Sequence, residues 1–293
     1  MAYLPRRPAQ ITAVRVRDLQ FAVYRWPGTD PDATWLLHGW GDTAATWQFL
    51  VDAAPPERSF IAFDQRGFGD TQWPADGYWF ADYLADLEAL LDRFAPNAAV
   101  DLVGHSMGGN VAMLYAGARP QRVRRLASLE GFGLPATTPE QAPGRYAQWL
   151  DEIKDGHMFA SYERIEQFAQ VLARRNPRVP AERIDFIARA WSRVRADGKV
   201  ELRADPRHKR INPVLYQREQ AKACWRAIEA PVLLVIGTAS ALASRMQDVL
   251  EPAALHADLR RLRIMTLEGM GHMLHHEQPE TIAALLEDFL RAS

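Results

Sequence analysis

Gly104-His105-Ser106-Met107-Gly108 is the segment whose residue types and spacing point most directly to chemistry. It follows an apolar stretch, Ala99 to Val103, that reads as a buried strand, and it precedes a helical run from Asn110 to Ala118. A serine between two glycines at a strand-to-helix turn is a nucleophile held on a sharp bend. The glycines remove the Cβ clashes that such a bend causes and leave the Ser106 hydroxyl exposed at the carboxyl edge of a sheet. The alternative, a glycine-rich turn with an incidental serine, does not account for the strand before it and the helix after it.

A sheet must carry that turn, and the rest of the chain supplies one. Residues 11–17 and 20–25 read as an opening antiparallel pair, followed by Trp35-Leu36-Leu37 and Phe60-Ile61-Ala62-Phe63, each ending in a polar, glycine-rich turn. Further strands are expected at 124–129, 231–236 and 262–267. Helical stripes alternate with them: Leu84, Leu87, Leu90 and Leu91 within 80–94, and Ile282, Leu285, Leu286 and Phe289 within 277–290. The pattern predicts an α/β fold with a mostly parallel sheet of eight strands covered by helices. From Pro135 to about Ala230 it changes to helical stretches without a convincing strand. We therefore expect a core of residues 1–134 and 231–293, with 135–230 forming a helical cap inserted after the sixth strand. The cap's Trp149, Phe159, Tyr162, Phe168, Phe186 and Trp191 either pack it or face a ligand cavity.

Composition narrows the partners. The 293 residues are 48% apolar and 24% charged, enough to bury a sizeable core, and the net charge of −1 provides no field for nucleic acid or an anionic membrane surface. Cys224 is the only cysteine, which excludes an intramolecular disulfide and a cysteine-rich zinc site. The N-terminal stretch has no apolar run of signal-peptide length, and no segment approaches the roughly 20 apolar residues of a membrane span. These features predict a cytoplasmic protein, a monomer or homodimer, acting on a small molecule.

The motif and its setting resemble the α/β-hydrolase superfamily over most of the chain apart from the cap, in the branch of serine hydrolase-like proteins, epoxide hydrolases and haloalkane dehalogenases. Leu37-His38-Gly39-Trp40-Gly41 resembles that branch's oxyanion loop, and Asp64-Gln65-Arg66-Gly67-Phe68-Gly69 its usual turn after the fourth strand. Epoxide hydrolases and dehalogenases of this branch carry an aspartate nucleophile where this chain has Ser106, so the resemblance implies acyl transfer instead. It also implies oxyanion donors at the backbone amides of Met107 and Trp40, the former at a helix N-terminus that favours negative charge. The base should follow the last strand, where Gly269-Met270-Gly271-His272-Met273-Leu274 places His272; an imidazole can take the serine proton and return it to the leaving group. His38 and His105 read as structural, and His275 and His276 as a solvent-facing helix entry, since no carboxylate or cysteine cluster supports a metal site.

The acid departs from the commonest pattern. Many relatives place an aspartate after the seventh strand, but Gly237-Thr238-Ala239-Ser240-Ala241-Leu242 contains no carboxylate. Part of the superfamily places the acid after the sixth strand, where this chain has Leu129-Glu130-Gly131-Phe132-Gly133, so Glu130 is the candidate partner of His272. Asp248, expected on a helix, is the alternative, and a dyad without an acid is a third possibility. The run from Arg203 to Arg210, interrupted by Asp205 and Pro206, reads as a solvated cap loop. Three functional readings follow: a serine carboxylic-ester hydrolase with a mainly apolar acyl or alcohol group and neither metal nor organic cofactor; a C–C bond hydrolase or thioesterase using the same residues; and a ligand-binding receptor on a hydrolase scaffold.

Overall fold

The computed structural model describes residues 3–292. Its principal sheet comprises β1 (Gln10–Val16), β2 (Leu19–Trp26), β3 (Thr34–Leu37), β4 (Phe60–Phe63), β5 (Val100–His105) and β6 (Val123–Leu129). Three short strands follow, β7 (Ser161–Tyr162), β8 (Ser192–Val194) and β9 (Val200–Leu202), and then β10 (Val232–Gly237) and β11 (Leu262–Leu267) return to the principal sheet. Its order is β1-β2-β4-β3-β5-β6-β10-β11. β1 pairs antiparallel with β2 and β2 with β4, and every later neighbour is parallel. The central strands β3, β4, β5 and β10 are buried along their whole length, as parallel strands covered on both faces must be.

The first helices are α1 (Gln48–Ala53), α2 (Phe80–Phe94) and α3 (Met107–Ala118). The segment after β6 holds α4 (Ala142–Lys154), α5 (Ile165–Arg175), α6 (Ala181–Trp191) and α7 (Arg218–Arg226). The chain ends with α8 (Ala241–Arg245), α9 (Pro252–Asp258), α10 (Leu274–Glu277) and α11 (Pro279–Arg291). One core, with Leu87, Leu90, Val111 and Tyr115, lies under α2 and α3; the other, with Leu50, Ile282 and Leu286, lies under α1 and α11. α3 starts at Met107, earlier than its apolar periodicity suggests, because the two glycines after Met107 carry no hydrophobic signal.

The segment 135–230 differs from its reading as strand-free. β7, β9 and β8 pair antiparallel in a small sheet against α5 and α6, around a third core of Phe168, Leu172, Ile184, Ile187 and Val200. Strands of two and three residues are too short to display a two-residue period, which is why the sequence concealed them. α7 packs as a core helix: Trp225 joins the cluster under α3, and a Cβ on Gly117 would stand 2.1 Å from the Cys224 carbonyl oxygen. The basic run 203–210 is docked rather than solvated. Asp205 is buried and accepts from Tyr78 Oη at 2.8 Å, while His208 stacks on Phe68 with ring centroids 4.0 Å apart. The carboxylate and proline that suggested a solvated loop build this joint: Asp205 also accepts from Arg207 N at 2.9 Å and Pro206 opens the turn.

Candidate active site

Ser106 lies between the last residue of β5 and the first of α3, with φ 50° and ψ −114°. For a side chain with a Cβ this conformation costs of order 1–3 kcal/mol, so the surroundings must enforce it. Ser106 N donates to Leu129 O at 2.8 Å, and Asn110 N donates to Ser106 O at 3.0 Å. Packing completes the constraint, because a Cβ on Gly108 would stand 2.2 Å from Leu37 O and leave α3 no room against the end of β3. The strained turn turns the hydroxyl out of the sheet edge, and Ser106 remains partly exposed.

His272 lies in the loop after β11, with its side chain 33% exposed. Two contacts hold its backbone: Gly271 N donates to Glu277 Oε2 at 2.8 Å, and the carbonyl of His272 accepts from His105 Nε2 at 2.9 Å. The latter bond places the His105 proton on Nε2 and makes that buried residue an anchor for the loop; burial holds its pKa well below the usual imidazole value. No hydrogen bond joins Ser106 Oγ to His272, whose Nδ1 is turned to Glu130.

Glu130, fully buried and itself at φ 58°, reaches His272 Nδ1 with Oε2 at 3.1 Å. Its other partners come from the end of β10. Gly237 N donates to Oε1 at 2.7 Å and Ser240 Oγ donates to Oε2 at 2.5 Å. Ser240 was not singled out from the sequence. Its signal was nevertheless present, a hydroxyl in the stretch where a carboxylate was sought and not found. Asp248 lies elsewhere, in the turn after α8, with its side chain 61% exposed and paired with Arg218 at 2.5 Å. It makes no contact with His272.

The two amides assigned to the oxyanion flank Ser106. Met107 N opens α3, where first-turn N–H groups have no partner inside the helix. Trp40 follows Gly39, at which a Cβ would lie 3.3 Å from Ser106 Cβ, so the loop passes directly over the serine. His38 shapes this loop: its Nε2 accepts from Gln65 N at 2.8 Å, its Nδ1 donates to Gly39 O at 2.7 Å, and burial lowers its pKa. The Trp40 ring is 51% exposed and meets Phe68 and Phe159 edge-on at 6.3 and 6.4 Å.

His275 and His276 do not face solvent. Both are buried on α10, where burial pushes His275 down to about 3 and His276 well below the usual imidazole value. Nor do they lack a carboxylate neighbour, since Asp42 lies 3.7 Å from His275 Nε2 and 3.6 Å from His276 Nε2. Linear spacing showed the adjacent histidines but not the oxyanion-loop aspartate folded onto them.

The sequence profile of the alpha/beta hydrolase fold matches residues 35–279, and the chain belongs to that family. It is a hydrolase, the class named for its curated relatives. One is a serine hydrolase-like protein of Danio rerio, 24% identical over 87% of this chain and 80% of that protein. Another is a pimeloyl-acyl-carrier-protein methyl ester esterase of Neisseria meningitidis, 27% identical over 89% of this chain and 95% of the esterase. Among solved structures, the thioesterase domain from the curacin biosynthetic pathway superposes with a TM-score of 0.85 at 20% identity, covering 96% of this chain and 99% of that domain. Among the described residues no helix is long and apolar enough to cross a membrane.

Proposed function

We propose that the protein is a serine carboxylic-ester hydrolase that works through an acyl-enzyme, with Ser106 as nucleophile, His272 as base and Glu130 as acid. One observation carries the reading: a serine in a strained strand-to-helix turn, and a histidine that is tied through its carbonyl to the adjacent His105 at 2.9 Å and whose Nδ1 faces a buried carboxylate at 3.1 Å. His272 Nε2 takes the Ser106 proton as Oγ attacks the ester carbonyl. The negative oxygen that forms is held by the amides of Met107 and Trp40, the dipole of α3 adding to the first. Collapse expels the alcohol, which receives the proton from His272, and water activated by the same ring then releases the acid. Glu130 keeps the Nδ1 proton on its own side of the ring and stabilises the imidazolium.

Residues 135–230 act as the cap of a core formed by 1–134 and 231–293. The exposed Trp40 ring beside Phe159 of that segment supports a mainly apolar acyl or alcohol group. The proposal includes a small-molecule substrate, a monomer or homodimer, and a cytoplasmic setting. A p-nitrophenyl ester of a short fatty acid should give burst release of p-nitrophenol, and a fluorophosphonate should label one residue. Ser106→Ala should abolish both while leaving the circular-dichroism melt near wild type. Wild-type labelling on another serine in Ser106→Ala would overturn the assignment.

A further inference from the structure

Asp42 is held in a manner that leaves one of its oxygens conspicuously free. Oδ1 accepts three hydrogen bonds, from Thr43 N at 2.7 Å, Thr46 Oγ1 at 2.6 Å and Trp191 Nε1 at 2.5 Å. Oδ2 is buried and accepts none. It faces Nε2 of His275 and Nε2 of His276, both also buried and without a hydrogen-bond partner. At 3.7 and 3.6 Å these separations are too long for hydrogen bonds. They come within about 0.1 Å of the spacing of donors that share a central atom, because a tetrahedral ion with bonds of about 2.0–2.2 Å holds its ligands roughly 3.3–3.6 Å apart. The three donor atoms all lie within 4.8 Å of one another.

We infer that Asp42, His275 and His276 form a site for a divalent transition-metal ion of the zinc type, distinct from the Ser106–His272 pair. Two neutral imidazoles and one carboxylate are the donor set such ions take, and a water completes four-coordination. The carboxylate is already oriented through its other oxygen, as outer-shell contacts orient metal ligands generally. Trp47, whose ring centroid lies 4.5 Å from that of His275, and Phe49, 5.7 Å from that of His276, pack against the two imidazoles. An ion there would also give the unpartnered carboxylate oxygen a partner. The site is connected to the reactive centre, since the His105 ring lies 4.4 Å from His275 and 4.9 Å from His272. It does not depend on which bond the enzyme cleaves.

Metal-free wild-type protein, dialysed to equilibrium against cobalt(II) chloride, should bind one equivalent per chain with the visible absorption of a four-coordinate N,O-ligated ion. Zinc(II) should displace it and raise the Tm. Asp42→Asn and His276→Gln should each weaken cobalt binding at least 100-fold, to beyond the roughly 10–100-fold expected of an outer-shell change, and Trp191→Phe should fall within that range. Melting curves of the metal-free variants establish which are folded, and Trp191→Phe carries the test if a ligand variant is not. No uptake by folded wild type, or wild-type affinity in folded Asp42→Asn or Trp191→Phe, would overturn the inference. So would binding that His272→Ala abolishes and His276→Gln retains, which would put the ion on the exposed histidine.

Discussion

Glu130→Gln is the sharpest probe of the proposed acid, because the three donors around its carboxylate decide how a glutamine must sit. Gly237 N donates to Oε1, while Ser240 Oγ and His272 Nδ1 donate to Oε2. If the amide nitrogen replaces Oε1, it opposes a backbone N–H that cannot turn away, and a buried donor left unsatisfied costs about 1–3 kcal/mol. If the nitrogen replaces Oε2, the Ser240 hydroxyl can rotate to accept and His272 can shift its proton to Nε2. The second arrangement is cheaper to fold and catalytically wrong, since Nε2 then carries a hydrogen and cannot accept from Ser106. The variant should therefore melt close to wild type while kcat falls on the order of 10²–10⁴ with little change in KM, the pattern of a lost transition-state interaction. Steady-state hydrolysis of a p-nitrophenyl ester, with a circular-dichroism melt of the same preparation, measures both. A folded Glu130→Gln retaining kcat within about threefold of wild type would refute the reasoning, as would an equal loss in Asp248→Asn, whose carboxylate is paired with Arg218 at the surface.

Trp40→Ala keeps the backbone amide and removes the exposed ring, so KM for apolar esters should rise about 5–30-fold, about 1–2 kcal/mol of lost burial, while kcat stays near wild type; a matching fall in kcat would count against a purely substrate-contacting ring. Gly39→Ala introduces a Cβ 2.8 Å from His105 Nδ1 and 3.3 Å from Ser106 Cβ, so the loop must lift off the serine. The expected result is a kcat loss of roughly 10²–10³ in a folded protein, measured by stopped-flow acylation, and an unchanged acylation rate would contradict it. His208, stacked on Phe68 and Tyr78, has its pKa pushed down to about 3 by burial. Between there and the unfolded value near 6.5 the unfolded chain binds the extra proton, so its contribution is intact above that window and is lost as pH falls through it. At pH 5 the loss is about 2 kcal/mol, and urea melts should show His208→Gln less acid-sensitive than wild type by that order; identical pH slopes would disprove it.

What could be read from the sequence was whatever has a local physical cause. Strands β3, β4 and β10 are mainly apolar runs of four to six residues closed by polar turns, and Gly104 answers to the turn itself, where a Cβ would stand 2.4 Å from Gly108 O, although Gly108 answers to the end of β3. The His272–Glu130 pair spans 142 residues, and its identification rested on strand order read through the resemblance to the α/β-hydrolase superfamily. Four features were illegible, three because their cause is tertiary and one because the elements are too short. His275 and His276 look like a polar helix entry until Trp47, Phe49, Trp191 and Asp42 close over them. Asp205 and His208 look like part of a charged loop until Phe68 and Tyr78 receive them. β7 to β9 are too brief to carry a period. Asp42 carries no mark in the linear chain of the imidazoles it meets.

The place of the proposed acid follows from the sheet rather than from either motif. β6 and β10 are parallel neighbours, with Leu129 opposite Val235, and Glu130 N donates to Val235 O at 2.9 Å. The ends of adjacent strands lie about 4.8 Å apart, less than the reach of a glutamate side chain, so a carboxylate issuing from either strand can meet the same imidazole. What differs is the support each origin requires. From β6 the chain must turn sharply, which the positive φ of Glu130 and the bond from Ser128 Oγ to Gly131 O at 2.6 Å accomplish. The neighbouring strand must then supply donors where it would otherwise have supplied the acid, and Gly237 N and Ser240 Oγ stand there. The missing aspartate after β10 and the glutamate after β6 are thus one arrangement, in which the two strand ends exchange the roles of proposed acid and donor around the same histidine.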